Sequence, residues 1–237
     1  MSIYGIGDLH LSFGVEKPMD IFGWGNHTEK IKKDWNNKVK QDDTVILLGD
    51  FSWAMKLQDT LKDFEYINKL PGQKILLKGN HEYWWSTVHH IKNFLQENNI
   101  KNVEFLHNNA FEIENKIFCG TRDWNVNISE EPDEEFNQKM IARECGRLEL
   151  SIKYGLEKFG HNKEIISCLH YPPITKSNIQ KEEQTPFIEI LKKYNIKKCY
   201  YGHLHGNAIN GAVQGNINGI ELHLISADSV NFQLQKI

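Results

Sequence analysis

"TVILLGD", Thr44 to Asp50, runs through Val45, Ile46, Leu47 and Leu48 without a polar interruption and then stops at Gly49 and Asp50. A strand with one wet face alternates apolar and polar residues. An unbroken β-branched and leucine run instead suits a strand covered on both faces, as in a parallel sheet. Upstream, "HTEKIKKDWNNKVK" (27–40) repeats Ile31, Trp35 and Val39 every four residues, as on one helix face. Upstream of that, the short apolar "SIYGIG" ends at Asp8. Downstream, "KLQDTLKDFEYINKL" reads as a helix with Leu57, Leu61, Phe64 and Ile67 inward, "KILLKGN" as a strand, and the stretch through "VHHIKNFLQEN" as a helix. Strand, helix, strand, helix, strand predicts right-handed βαβ crossovers and a parallel core.

The middle of the chain changes style. "VEFLHN" and "AFEIENKIFCGT" read as shorter strands, with a turn at Glu114, Asn115 and Lys116. The longest helical pattern starts at Pro132 and ends at Phe159. Its inward positions are Ile141, Cys145, Leu148, Ile152, Leu156 and Phe159, and its Arg and Glu residues read as a solvated face. Alternation returns with "EIISCLHYPP", a helix near "PFIEILKKYN", and "KKCYYGHLHG"; the tail "IELHLISADSVNFQLQKI" predicts two strands with a turn around Ala227 to Ser229. A mixed-sheet α/β architecture with helices outside follows. The 237 residues, 40% hydrophobic and 25% charged, suit a single domain over 1–237.

A net charge of −3 offers no long-range attraction to nucleic acid or anionic membrane. Cys119, Cys145, Cys168 and Cys199 are scattered with no CxxC pair, which predicts reduced thiols and a cytoplasmic protein. The opening "MSIYGIGDLH" does not read as a signal peptide, and no segment is apolar for long enough to span a bilayer.

The polar residues fall where the strands end. Asp8 and His10 follow the first strand, Asp50 the second, Asn80 and His81 the third, His170 a later one, and His203 and His205 another. In open α/β sheets, ligands bind in the crevice outside the carboxyl ends of the strands. Each motif has a plainer reading alone: "GD" as a turn or helix cap, "GN" as a turn, a lone HxH as a solvated pair. Five of them at successive strand ends form a pattern.

That ordered series, "GDLH", "GDFSWA", "GNHE", "LHYPP" and "GHLHG", resembles the calcineurin-like metallophosphoesterase superfamily, whose pattern is DxH, GD, GNH(D/E), a lone His and GHxH. The resemblance covers Asp8 to Gly206. It implies a four-layer αββα sandwich of two stacked mixed sheets flanked by helices. It also implies a two-metal centre: Asp8, His10, Asp50 and His205 at one ion, and Asp50, Asn80, His170 and His203 at the other, with Asp50 bridging. Carboxylate, imidazole and amide donors suit Mn, Fe, Zn or Ni, so the metals are not distinguished.

The activity implied is hydrolysis of a phosphomonoester or small phosphodiester by a metal-bridging hydroxide. In that pattern His81 assists the leaving group. Glu82 stands where many relatives carry Asp; it either orients His81 or is a helix first-turn carboxylate. Arg122 either clamps phosphate, alongside Asn80, or pairs with Asp123 or a neighbouring acid. Arg143 and Arg147 read as solvated. Tyr83, Trp84, Trp85, Trp124 and Tyr171, beside the motifs, read as walls of the site more than as stacking platforms. The expected partner is a phosphate ester, with no membrane, nucleic acid or obligate protein partner. A nuclease, a nucleotide or lipid-precursor pyrophosphatase, and a non-catalytic binding module remain as alternatives. Against the lipid-precursor pyrophosphatase, His81 stands where those enzymes carry Arg; against the binding module, every ligand position is filled.

Overall fold

The computed structural model describes residues 1–126 and 134–237. The strands are β1 (Ile3–Ile6), β2 (Thr44–Leu47), β3 (Gln73–Leu77), β4 (Val103–Leu106), β5 (Phe111–Ile113), β6 (Lys116–Thr121), β7 (Glu164–Leu169), β8 (Lys198–Tyr201), β9 (Gly215–Ile217), β10 (Ile220–Leu224) and β11 (Gln235–Lys236). The α-helices are α1 (His27–Lys38), α2 (Leu61–Asn68), α3 (Val88–Glu97), α4 (Glu134–Phe159), α5 (Lys176–Gln180) and α6 (Pro186–Lys193). Two sheets result, one in the order β11-β1-β2-β3-β4 and one in the order β5-β6-β7-β8-β10-β9. Within each the central strands run parallel, and only β11, β5 and β9 pair antiparallel, at the edges.

The continuous apolar run explains the layering. Side chains alternate along a strand, so Val45 and Leu47 take one face of β2, and Ile46 takes the other. Val45 and Leu47 pack with Ile31 and Trp35 of α1, Phe64 and Ile67 of α2, and Ile91 and Leu95 of α3. Ile46 and Leu48 pack between the sheets with Ile75 and Leu77 on one side and Phe118, Ile166, Cys168 and Tyr200 on the other. The outer face of the second sheet, with Ile117, Cys119, Cys199 and Leu222, is covered by Leu148 and Ile152 of α4 and Phe187 and Leu191 of α6. Helices, sheet, sheet, helices is the predicted αββα order. All the motif-bearing loops leave the carboxyl ends of parallel strands.

Three details depart from the expectations. The predicted helix before β3 is split into a 3-10 turn (Leu57–Thr60) and α2. Strand β9 is an addition to the predicted set, although Asn218 and Gly219, both at positive φ between β9 and β10, are a common two-residue hairpin turn. Helix α4 is not solvated along its whole polar face: Glu144 is fully buried and accepts hydrogen bonds from Thr121 Oγ1 (2.6 Å), Arg147 (2.8 Å) and Arg143 (3.1 Å). Pro132 and Asp133, the expected start of that helix, lie outside the described residues.

Candidate metal centre

Three of the strand exits, after β2, β3 and β8, depend on a glycine (Gly49, Gly79 and Gly202). A Cβ on Gly79 would fall on the side chain and backbone of Asp50 and within 2.9 Å of His170 Cε1, and one on Gly202 would strike Asp8 Oδ2. The "GN" and "GH" motifs thus let backbone pass directly against the carboxylates. The exits are also strained: Asp8, His10, Asp50 and His203 all have positive φ, between 45° and 70°. Such conformations cost about 1–3 kcal/mol each for non-glycine residues and persist where surrounding structure holds them, often at functional sites.

The exits bring two sets of donors together. The ligand-capable atoms of Asp8, His10 and His205 lie within 4.8 Å of one another, and so do those of Asp50, His170 and His203. His203 and His205 therefore belong to different groups. Asp50 lies between the groups: Oδ2 is 3.8 Å from His10 Nε2, and Oδ1 is 3.5 Å from His170 Nε2. Asn80 Oδ1 lies 2.7 Å from His170 Nε2 and 2.9 Å from His203 Nδ1. All seven predicted ligands meet here.

Supporting contacts set which nitrogen His170 and His205 present. His170 Nδ1–H donates to the Leu48 carbonyl (2.9 Å), so Nε2 carries the lone pair aimed at the centre. Asp228 does the same for His205, with Oδ1 2.8 Å from Nδ1, while its Oδ2 accepts the Gly206 N–H at 2.9 Å. In sequence, residues 227–229 read only as a turn, and nothing there marks Asp228 as part of the site. Asp8 also accepts the His203 backbone N–H through both oxygens (3.0 and 3.1 Å).

The electrostatics match a site built for cations. Burial and then the neighbouring Asp8 push Asp50 up to about 8. Burial works to raise Asp8 too, but His205, His170 and His10 outweigh it and hold it well below the usual carboxylate range. His205 rises to about 10, because Asp8 and Asp228 overcome its burial. Burial drives His203 down to about 3, with His170 adding to the effect, and lowers His10 and His170 as well. Crowded carboxylates among buried imidazoles are relieved by divalent ions, and the carboxylate, imidazole and amide donor set fits first-row metals.

His81 lies beside the groups without joining them. Its backbone N–H donates to Asp50 Oδ1 (2.8 Å), and its ring stands 4.3 Å from that of Trp53. Burial and then Lys17 push it down to about 4. Glu82 takes neither of the roles expected for it. Its buried carboxylate accepts the backbone N–H groups of Asp50 (3.0 Å), Phe51 (2.5 Å) and Gly79, tying the second exit to the third. It precedes α3 by six residues, too far for a first-turn carboxylate.

Arg122 has structural partners. Its Nη2 is 3.8 Å from Glu144, and its guanidinium lies 4.6 Å from the Trp124 ring centroid. The acid beside it is thus Glu144, the shared acceptor of Arg143 and Arg147. Of the flanking aromatics, Tyr171 stands 4.0 Å from the His203 ring, whereas Trp84 is core and Tyr83 is exposed. Two further aromatics line the site: Trp24, which no motif marks, and Trp53, which lies within "GDFSWA" but has no role implied there. Trp53 stacks on His10 at 4.5 Å and 18°, and Trp24 lies 5.2 Å from His205.

The family model for calcineurin-like phosphoesterases matches residues 1–207. No curated protein matches. Among solved structures, a protein of unknown function from Aquifex aeolicus is similar at 18% identity and TM-score 0.54, covering 99% of this chain and 95% of its own. Phosphopantetheinyl hydrolase from Mycobacterium tuberculosis is similar at 13% identity and TM-score 0.56, covering 100% and 95%. The protein TT1561 of Thermus thermophilus gives 13% identity and TM-score 0.58, covering 99% and 97%. At these identities the structural likeness shows a shared fold. The family match spans most of the sequence and contains every donor of the centre, and the chain belongs to the calcineurin-like phosphoesterase family.

Proposed function

We propose that the protein is a dimetal-dependent hydrolase of a phosphomonoester or small phosphodiester. The observation that carries this reading is the pair of donor groups flanking Asp50 and Asn80, with His81 beside them and outside both. Asp8, His10, Asp50 and His205 would hold one divalent ion, and Asp50, Asn80, His170 and His203 the other. A bound pair of this kind brings the pKa of a water from 15.7 towards about 7 and neutralises charge on phosphoryl oxygens.

The chain's own residues do the rest. Asp228 and the Leu48 carbonyl fix the presenting nitrogens of His205 and His170. Asn80 adds an oxygen donor without negative charge, which favours an anionic substrate. His81 Nε2 lies 3.9 Å from Asp50 Oδ2 and is partly exposed, so it can reach an ester oxygen placed over the centre; held down to about 4 by burial and Lys17, it takes up a proton when the anionic substrate sits beside it and supplies that proton to the ester oxygen. Water adds to phosphorus, the phosphorus–oxygen ester bond breaks, and the alcohol leaves with that proton.

The net charge of −3 supports a small ester over nucleic acid, and among the described residues no helix is long and apolar enough to cross a membrane. With manganese added, the protein should hydrolyse an aryl phosphate. His81→Ala should lower kcat by about 10²–10⁴ while keeping two metal equivalents, and Asp50→Asn or His170→Ala should abolish turnover and reduce bound metal. Full turnover by the Asp50 and His170 variants would refute the mechanism. The substrate screen should include a phosphopantetheinyl diester, because one structural neighbour is named as a hydrolase of that group.

A further inference from the structure

Beside the metal centre lies a cavity of about 350 Å³ whose floor is His10, His81 and His205 and whose walls are Met19, Phe22, Trp24 and Trp53. Its volume is within the range of small-molecule sites. The walls are contributed by a 3-10 turn (Met19–Phe22) in the loop after β1 and by the loop after β2. They are held in place: Trp53 Nε1 donates to Met19 Sδ (3.1 Å), Trp53 stacks on His10, and Lys17 Nζ lies 3.1 Å from the Trp53 ring centroid. Phe22, at the cavity, is 58% exposed, and Ile21 next to it is 75% exposed.

Two observations identify the occupant. The cavity opens directly onto His81, the residue placed to protonate a departing alcohol, so what sits there is the part of the substrate beyond the ester oxygen. Among the described residues, the side chains lining it, apart from the imidazoles of the floor, are thioether and aromatic, with no carboxylate or amide to hold sugar or glycerol hydroxyls. A polyol there would lose its water without gaining partners, whereas an alkyl or aryl group loses nothing.

We propose that this cavity receives the alcohol portion of the ester, and that the protein's substrates are phosphate esters of an apolar alkyl or aryl alcohol. This rests on the phosphoesterase reading and extends it to a substrate class. A polar group of comparable size should be turned over less well than an apolar one of equal leaving ability.

The test compares n-alkyl phosphates from ethyl to octyl, with glycerol phosphate, on the manganese-loaded protein. Each methylene entering the cavity should raise kcat/KM by about two- to fourfold, so octyl phosphate should exceed butyl phosphate by about 16-fold or more. Phe22→Ser, a change at a largely exposed position that opens no core, should flatten this dependence. In parallel, calorimetry with n-alkyl phosphonates, which are not hydrolysed, reads the cavity independently of turnover. If no ester is hydrolysed, the phosphoesterase reading fails, and the phosphonate series then decides: affinity rising with chain length sustains the cavity assignment, and a flat series overturns it. If esters are hydrolysed with no dependence on chain length, the inference fails while the phosphoesterase reading stands.

Discussion

Replacing Asp228 by Ala tests how far this centre depends on a residue outside its ligand set. Asp228 Oδ1 lies 2.8 Å from His205 Nδ1, and Oδ2 takes the Gly206 N–H at 2.9 Å, so one carboxylate fixes both the ring and the backbone that follows it. A hydrogen bond to a charged group contributes about 1.5–3 kcal/mol. Losing the one that orients His205 corresponds to roughly a 10- to 150-fold weaker hold on the ion at the Asp8, His10 and His205 group. The range overlaps the 10- to 100-fold cost typical of residues that support metal ligands. The affinity should be measured by calorimetric titration of manganese into the stripped protein, where the loss should fall on one of two sites. A second readout is the His205 titration followed by NMR in stripped protein. Asp8 and Asp228 raise that pKa to about 10, and the variant should move it down. Unchanged affinity at both sites with an unchanged His205 titration would refute the orienting role; thermal unfolding of the variant separates this from a general loss of structure.

Glu82→Ala leaves the buried N–H groups of Gly79, Asp50 and Phe51 without an acceptor, at about 1–3 kcal/mol each, so Tm should fall by roughly 6 °C or more; a fall under about 2 °C would contradict the tie. Gly79→Ala places a methyl on Asp50, and metal analysis should find the protein unable to retain two equivalents; full retention would show that the strand exit yields. Burial pushes Asp63 from 3.8 up to about 6 in the folded protein, despite hydrogen bonds from Ser52 and Phe13. Between those pH values the folded state holds more protons than the unfolded state, so stability falls as pH rises from about 4 to about 6. Asp63→Asn should remove that fall, gaining up to about 3 kcal/mol on the wild type between pH 4 and pH 7 in chemical denaturation, and parallel pH profiles would refute it.

The match between sequence and structure is closest where a feature is local. Val45 to Leu48, Ile31 with Trp35, and Phe64 with Ile67 each declare their element by spacing alone, and the cores confirm the faces they bury. Glu144 shows the opposite. It sits in a helix rich in Arg and Glu, and nothing in that pattern separates it from its solvated neighbours. It is buried because α4 lies over the carboxyl end of β6, where Thr121 and Arg122 meet it. Glu82 is legible in sequence as a site residue, but its role is not. Its spacing from His81 suggests a partner next door, while its actual partners include Asp50 and Phe51, which belong to another crossover.

The seven metal donors were implied by resemblance to a family; the chain alone determined the alternation of strands and helices and the strand ends at which those residues fall. Both are periodic or short-range properties, written in residues that are neighbours along the backbone. Only the folded structure decided that Asp228 holds His205 across 23 residues, that Glu82 binds the Asp50 loop across 32, and that Trp24 and Trp53 wall a cavity over His81. Those contacts join loops from separate crossovers, and their geometry is set by how the strands stack and pair, which no stretch of sequence encodes by itself.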